Sequence, residues 1–171
     1  MKRAAAWVPV ALMAASLIAC APDPAREYQQ GLRLLQPDRV NPVAAVRHLS
    51  RAADAGVGAA AWRLALLYRS GAEGVPRDEQ EALRRLQQAA RKDVAQAQFL
   101  LGQMLLSGEA VPGDPGEARR WLEQAADHEL PEAHLALALA ARRGEFGLTP
   151  EDGQRHLMEA QHAAFHRPPA P

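Results

Sequence analysis

The sequence predicts an all-α fold, a right-handed superhelical solenoid of about four helix-turn-helix repeats. A phrase of the form Ala-x3-Leu-x2-Ala-Ala starts at Ala45, Ala82 and Ala118, and a weaker copy starts at Gly153. The leucines of successive copies lie 37, 36 and 35 residues apart. A fixed period of this size is typical of stacked helical repeats, which bury their apolar faces against their neighbours. Aromatic residues make up only 5% of the chain, which favours close helix packing through small side chains.

The N-terminus is expected to lie outside the repeats. Residues 1–19 pair a short basic start with an apolar stretch that is below the roughly 20 residues of a membrane-spanning helix. This pattern is typical of a secretory signal peptide. The run Leu17-Ile18-Ala19-Cys20 resembles the lipobox of bacterial lipoproteins. That resemblance implies cleavage before Cys20 and acylation of this residue, for example with palmitate.

The predicted domain boundaries follow from this reading. Cys20 is the only cysteine, so no disulfide can form within the chain. Residues 20–24 are interpreted as the lipidated cysteine and a short tether, 25–166 as the repeat domain and 167–171 as a disordered tail. The residue after Cys20 is Ala21 rather than aspartate, which in lipoproteins of enteric-type bacteria implies export to the outer membrane. We therefore expect a lipid-anchored envelope protein on the inner leaflet of the outer membrane, facing the periplasm.

Each repeat is predicted to hold two helices, and the second begins at a capping residue. Glu81 and Glu117 follow two of these caps at the spacing of a capping box. Such a cap contributes about 1 kcal/mol. The four predicted caps are Asn41, Asp78, Asp114 and Thr149.

The first helices carry a second phrase. Trp62-x-Leu64-Ala65-x2-Tyr68-x2-Gly71 is repeated from Phe99 to Gly108 and from Leu135 to Gly144. The small third residue lets a neighbouring helix approach, and the glycine ends the helix. Together with Gly74-Val75, Trp121 and the paired alanines, these phrases resemble the Sel1-like repeat, a relative of the tetratricopeptide repeat. The resemblance is strong in the two central units and weak in the terminal ones, as expected of capping units.

The expected function is binding. First helices line the inner surface of such solenoids, and concave surfaces of this kind usually receive a peptide or protein segment. We therefore expect a membrane-anchored periplasmic adaptor or scaffold, in an envelope assembly or secretion system. Two alternatives are an immunity protein that neutralises a periplasmic toxin and a module that binds an anionic glycan. The predicted groove residues are Arg63, Leu66, Gln98, Gln103, His134 and Arg142.

Other functional classes receive little support. Lysine plus arginine equals aspartate plus glutamate, at 20 each, which argues against nucleic acid as a partner. His156, His162 and His166 follow helical spacing, but the sequence suggests no carboxylate or cysteine to complete a metal site, so no metal or cofactor is expected. Serines and acids are interpreted as surface and capping residues, and we expect no enzyme. The arginine pairs that recur along the repeats could bind an anionic glycan, although a solvated face explains them as well: Arg84-Arg85, Arg119-Arg120 and Arg142-Arg143.

Overall fold

The structure is a computed structural model that describes residues 22–108 and 113–166. These residues form α-helices joined by short turns. The signal peptide, Cys20 and the tail at 167–171 lie outside the described residues. The helices are α1 (Pro24–Arg33), α2 (Pro42–Asp54), α3 (Gly58–Ser70), α4 (Glu79–Ala90), α5 (Ala95–Ser107), α6 (Pro115–Asp127), α7 (Pro131–Arg142) and α8 (Pro150–His166).

The helices stack as pairs in chain order. Each pair consists of a first helix, here called an A helix (α1, α3, α5 or α7), and a second, called a B helix (α2, α4, α6 or α8). The most extensive packing lies within each pair, and the B helices α2, α4 and α6 each also pack on the next A helix. This arrangement confirms the prediction of an all-α solenoid with four repeats. No helix in the described part of the chain combines the length and apolar composition that crossing a membrane requires.

The repeated phrases form the core. Leu49 and Leu122 of the B helices and Leu64 and Leu137 of the A helices have no exposed surface. Burying a leucine side chain contributes about 1.5–3 kcal/mol. The small residues permit close approach: a Cβ atom built on Gly102 of α5 would lie 2.9 Å from Cγ of Leu122 in α6. The fourth copy of the B-helix phrase is weaker, and its leucine, Leu157, is 45% exposed rather than buried.

The predicted caps of the B helices are confirmed. Asn41 accepts a hydrogen bond from the amide of Ala44, and Asp78 accepts one from the amide of Glu81. Asp114 accepts from the amides of Gly116 and Glu117, and Thr149 accepts from the amide of Asp152. These bonds satisfy amides that have no partner within the first helical turn. Sequence alone therefore located the start of every B helix.

The predicted capping boxes of α4 and α6 are wrong in one respect: the glutamate of each box does not bond back to the amide of its cap residue. Glu81 does not reach back to its cap, because its carboxylate binds Arg84 and Arg85 instead. Glu117 accepts a hydrogen bond from the indole of Trp121. A reciprocal box forms where none was predicted, at α8, since Asp152 accepts a hydrogen bond from the amide of Thr149. These bonds, with that from Arg155, lower the pKa of Asp152 to about 2.

The first helix starts one residue earlier than expected. Asp23 accepts a hydrogen bond from the amide of Ala25, and Pro24 is the first helical residue. A fixed backbone angle and a missing N–H suit proline to this position. The segment assigned to the tether thus contributes a helix cap.

Candidate functional site: the A-helix face

Equivalent positions of the A helices present a mixed apolar and polar surface. The repeat spacing aligns Leu66 of α3 with Gln103 of α5 and Leu139 of α7. One turn further along the helices, it aligns Arg69, Leu106 and Arg142. Leu106, Leu135 and Leu139 are between 40% and 48% exposed, although leucine is usually buried. We call this surface the A-helix face and define it by Leu66, Arg69, Gln103, Leu106, Leu135, Leu139 and Arg142.

A groove crosses this face between α3 and α5. Leu66 and Arg69 form one wall, Leu100 and Met104 form the other, and Leu83 of α4 contributes to the floor. The enclosed volume is small, about 90 Å³, and its lining is mainly apolar. A groove of these dimensions fits one or two apolar side chains of a docked segment better than a whole small molecule.

Four of the six residues that were predicted to line the groove have side chains at the surface. Leu66, Gln103 and Arg142 belong to the A-helix face, and Arg63 lies on α3 one turn before Leu66. Arg63, Gln103 and Arg142 are exposed, and Leu66 is half-buried in the groove. These side chains are accessible to a partner.

Gln98 was wrongly placed on the solvent side. It is 0% exposed, and its amide nitrogen donates a hydrogen bond to the carbonyl oxygen of Ala90, 3.2 Å away in α4. The same nitrogen lies 3.5 Å from Oε1 of Gln124 in α6. Gln98 therefore faces the B helices, on the opposite side of α5 from the A-helix face.

His134 was wrongly placed for the same reason. It occupies in α7 the position that Gln98 occupies in α5, and it is 8% exposed. Its Nδ1 atom lies 3.2 Å from Nδ1 of His156 and 3.2 Å from a carboxylate oxygen of Glu159, both in α8. A carboxylate therefore does lie beside these histidines, contrary to the expectation from sequence.

These three residues form a cluster that the sequence analysis missed, here called the His-His-Glu cluster (His134, His156 and Glu159). Nδ1 of His156 is also 3.2 Å from the Glu159 carboxylate. Burial lowers the pKa of His156. The cluster opens into a cleft between α6 and α8 on the B-helix side. One clue was present in the sequence, the i, i+3 spacing of His156 and Glu159. The repeat alignment of His134 with Gln98 indicates an inward direction only because the structure shows that Gln98 is buried.

The arginine pairs do not form one basic row. Arg85 is buried and binds Asp54 and Glu81, each at 2.9 Å. Hydrogen bonds from Arg84 to the Glu81 carboxylate lower the pKa of Glu81. Arg119 binds Glu123 and the carbonyl oxygen of Phe146. The third pair, Arg142-Arg143, lies at the end of an A helix, whereas the first two pairs lie in B helices, so the three pairs do not occupy equivalent positions.

The chain resembles several solved structures. It is 28% identical to a Sel1 repeat protein from Oxalobacter formigenes, with a TM-score of 0.73 over 82% of this chain and 59% of that one. It is 27% identical to c5321, a protective antigen of uropathogenic Escherichia coli with an SLR fold, with a TM-score of 0.73 over 90% of this chain and 33% of that one. It is 28% identical to the immunity protein Pa5087 from Pseudomonas aeruginosa, with a TM-score of 0.58 over 83% of this chain and 54% of that one.

The chain thus spans between a third and about three fifths of the length of these proteins. No curated protein matches it. Sel1 repeat proteins generally mediate protein–protein interactions, and their fold is typically a scaffold without catalytic activity. The Sel1 repeat profile matches residues 14–57, 58–94 and 95–129, which correspond to the first three helix pairs. The match covers more than half of the sequence, and the chain belongs to the Sel1 repeat family.

Proposed function

We propose that this protein is a membrane-anchored periplasmic adaptor or scaffold that binds a segment of another protein along its A-helix face. The observation that carries the proposal is the set of exposed leucines on the A-helix face, Leu106, Leu135 and Leu139. Exposed apolar patches rimmed by polar residues mark interaction sites. Arg69 and Arg142 supply such a rim and could pair with acidic groups of the partner. The proposal includes no catalytic step.

Site-specific crosslinking tests the binding face. A photo-reactive amino acid at Gln103 should crosslink to a partner in living cells, because this position is exposed in the middle of the A-helix face. The matched control is the same amino acid at Arg120, which is exposed on the B helix α6. Crosslinks at Arg120 but none at Gln103 would contradict the choice of face.

The membrane anchor is a second part of the proposal. It rests on the lipobox-like run that ends at Cys20. At least two lipid-binding signals are needed for stable anchoring, which multiple acyl chains would supply. A Cys20→Ser variant should move from the membrane fraction to the soluble periplasmic fraction. Retention of this variant in the outer membrane would contradict an anchor at Cys20.

An immunity role is a second candidate, and the likeness to the immunity protein Pa5087 favours it. In this role the A-helix face would hold a toxin that acts in the periplasm. The predicted result is a stable complex with one toxin, and loss of protection when Leu139→Glu is introduced. An adaptor, by contrast, should show several partners from one assembly, and its deletion should not sensitise cells to a toxin.

A further inference from the structure

The His-His-Glu cluster brings three metal-ligating atoms together at the junction of α7 and α8. The two Nδ1 atoms are 3.2 Å apart, and each lies 3.2 Å from the Glu159 carboxylate. The residues come from both helices of one pair, so the fold itself assembles the cluster. His134 and His156 are largely buried, whereas the Glu159 side chain is 44% exposed at the mouth of the cleft.

These distances match the spacing of ligands around zinc. Imidazole nitrogens and carboxylate oxygens bind Zn²⁺ at about 2.0–2.1 Å, so two ligands of a tetrahedral ion lie roughly 3.3–3.4 Å apart. All three separations in the cluster are within about 0.2 Å of that range. An ion slightly outside the plane of the three atoms could therefore bind all of them with little movement of either helix.

The other repeats provide an internal comparison. In the third helix pair, the equivalent positions hold Gln98, Trp121 and Gln124, and in the second pair they hold Ala61, Arg85 and Gln88. Neither set contains a histidine or a carboxylate. In the first pair the equivalent positions hold Glu27, His48 and Arg51, and Nδ1 of His48 lies 2.8 Å from a carboxylate oxygen of Glu27. Of the four described pairs, the last alone places two histidines and a carboxylate at these positions.

We propose that His134, His156 and Glu159 bind a divalent transition metal ion, with Zn²⁺ as the preferred ion. Two imidazoles and one carboxylate suit zinc and disfavour Mg²⁺, which prefers oxygen ligands and retains its water. The cleft leaves room for water as the fourth ligand, as in three-ligand zinc sites. Because the ligands span α7 and α8, the bound ion ties the last helix to the solenoid and stabilises the terminal repeat.

Zinc binding can be measured directly. The full chain is purified in mild detergent without a polyhistidine tag, carries Cys20→Ser so that no thiol competes, and is freed of metal with a chelator. Titration with Zn²⁺ should show one site per chain and a rise in Tm, whereas Mg²⁺ should produce neither. Co²⁺ in place of Zn²⁺ should give the visible absorption of a four-coordinate ion.

Variants separate this site from adventitious binding by other histidines. Glu159→Gln preserves size at a partly exposed position, so it should fold, and it should weaken Zn²⁺ binding at least tenfold. His134→Ala should weaken it by about a hundredfold or more, since even changes outside the ligand set cost about 10–100-fold. The matched control is His162→Ala, which alters another histidine that lines the same cleft and should bind as before. Absence of stoichiometric binding, or loss in His162→Ala with retention in Glu159→Gln, would overturn the proposal.

Discussion

At the residue scale, Gln98 and Gln103 show how one helix serves two environments. They are five positions apart in α5, yet Gln98 is fully buried against the B helices and Gln103 is exposed. Helical periodicity suggested a polar face, but glutamine is compatible with both surfaces. The buried position of Gln98 is stabilised by the hydrogen bond that its side-chain amide donates to the carbonyl oxygen of Ala90. This bond can form only when α4 and α5 are packed together. A hydrogen bond across helices cannot be read from spacing alone.

Charge at Gln98 should destabilise the protein. In Gln98→Glu the donor to Ala90 is lost, and a buried carboxylate faces the Asp93 carboxylate, which lies 3.5 Å from the present amide nitrogen. We expect the free energy of unfolding to fall by about 2–4 kcal/mol at neutral pH, as measured by urea denaturation. Gln103→Glu is the control and should change it by less than about 0.5 kcal/mol. Equal effects of the two substitutions would contradict the burial of Gln98.

The capping box of α8 predicts a pH dependence. The folded-state pKa of Asp152 is about 2, below its ordinary value of 3.8, because Thr149 and Arg155 hydrogen-bond to its charged form. Its stabilising contribution is therefore complete above the ordinary pKa and is lost as the pH falls from there through about 2.

In Asp152→Asn this contribution should be missing at all pH values. The difference in unfolding free energy between the wild type and the variant should therefore shrink as the pH falls from 6 towards 2. Urea denaturation at several pH values measures it, with Glu151→Gln as the control. A difference that stays constant over this range would rule out the charged cap.

At the scale of the helix, the sequence predicted where each B helix begins better than it predicted which residues contact each other between repeats. A cap acts within one turn, so Asn41, Asp78 and Asp114 revealed where the B helices begin. Contacts between repeats depend on long side chains whose direction is set by packing. Arg85 illustrates this: it looked like half of a surface pair, yet it is buried and bridges α4 to Asp54 at the end of α2.

The Arg85 bridge should contribute to the stacking of the first two repeats. Arg85→Ala removes hydrogen bonds to Glu81 and Asp54, and we expect it to destabilise the protein by about 1–3 kcal/mol. Arg84→Ala removes an exposed arginine on the same carboxylate and should cost less than about 1 kcal/mol. Chemical denaturation of both variants tests this. A larger loss from Arg84→Ala would contradict the bridge.

Close approach of α5 and α6 predicts intolerance of larger side chains at Gly102. A Cβ at this position would lie 2.9 Å from Leu122 and 3.2 Å from the carbonyl oxygen of Ala118, and the backbone atom cannot yield easily. Gly102→Val should therefore lower the unfolding free energy by about 1–3 kcal/mol. Gln103→Val, at the adjacent exposed position, is the matched control for the β-branched side chain. A stabilised Gly102→Val variant would show that the helices are less closely packed.

At the scale of the whole molecule, periodicity predicted the solenoid because every repeat solves the same packing problem. Leu49 and Leu122 are fully buried at equivalent positions of separate B helices. The binding surface was predicted only in part, because a ligand need not follow the repeat. The His-His-Glu cluster was not predicted from the sequence for the same reason: its residues differ from those of the two central repeats, and its geometry depends on two helices.

Protein binding by the A-helix face is tested most directly by matched leucine substitutions. Leu139 lies on that face and is 48% exposed, whereas Leu157 lies on α8, outside it, and is 45% exposed. Both Leu139→Glu and Leu157→Glu should retain the helical circular dichroism of the wild type. The measurement is the amount of partner captured from detergent-solubilised membranes, quantified by mass spectrometry. We expect at least tenfold less partner on Leu139→Glu and unchanged capture on Leu157→Glu. Unchanged capture on Leu139→Glu, or an equal loss on both variants, would contradict protein binding by this face.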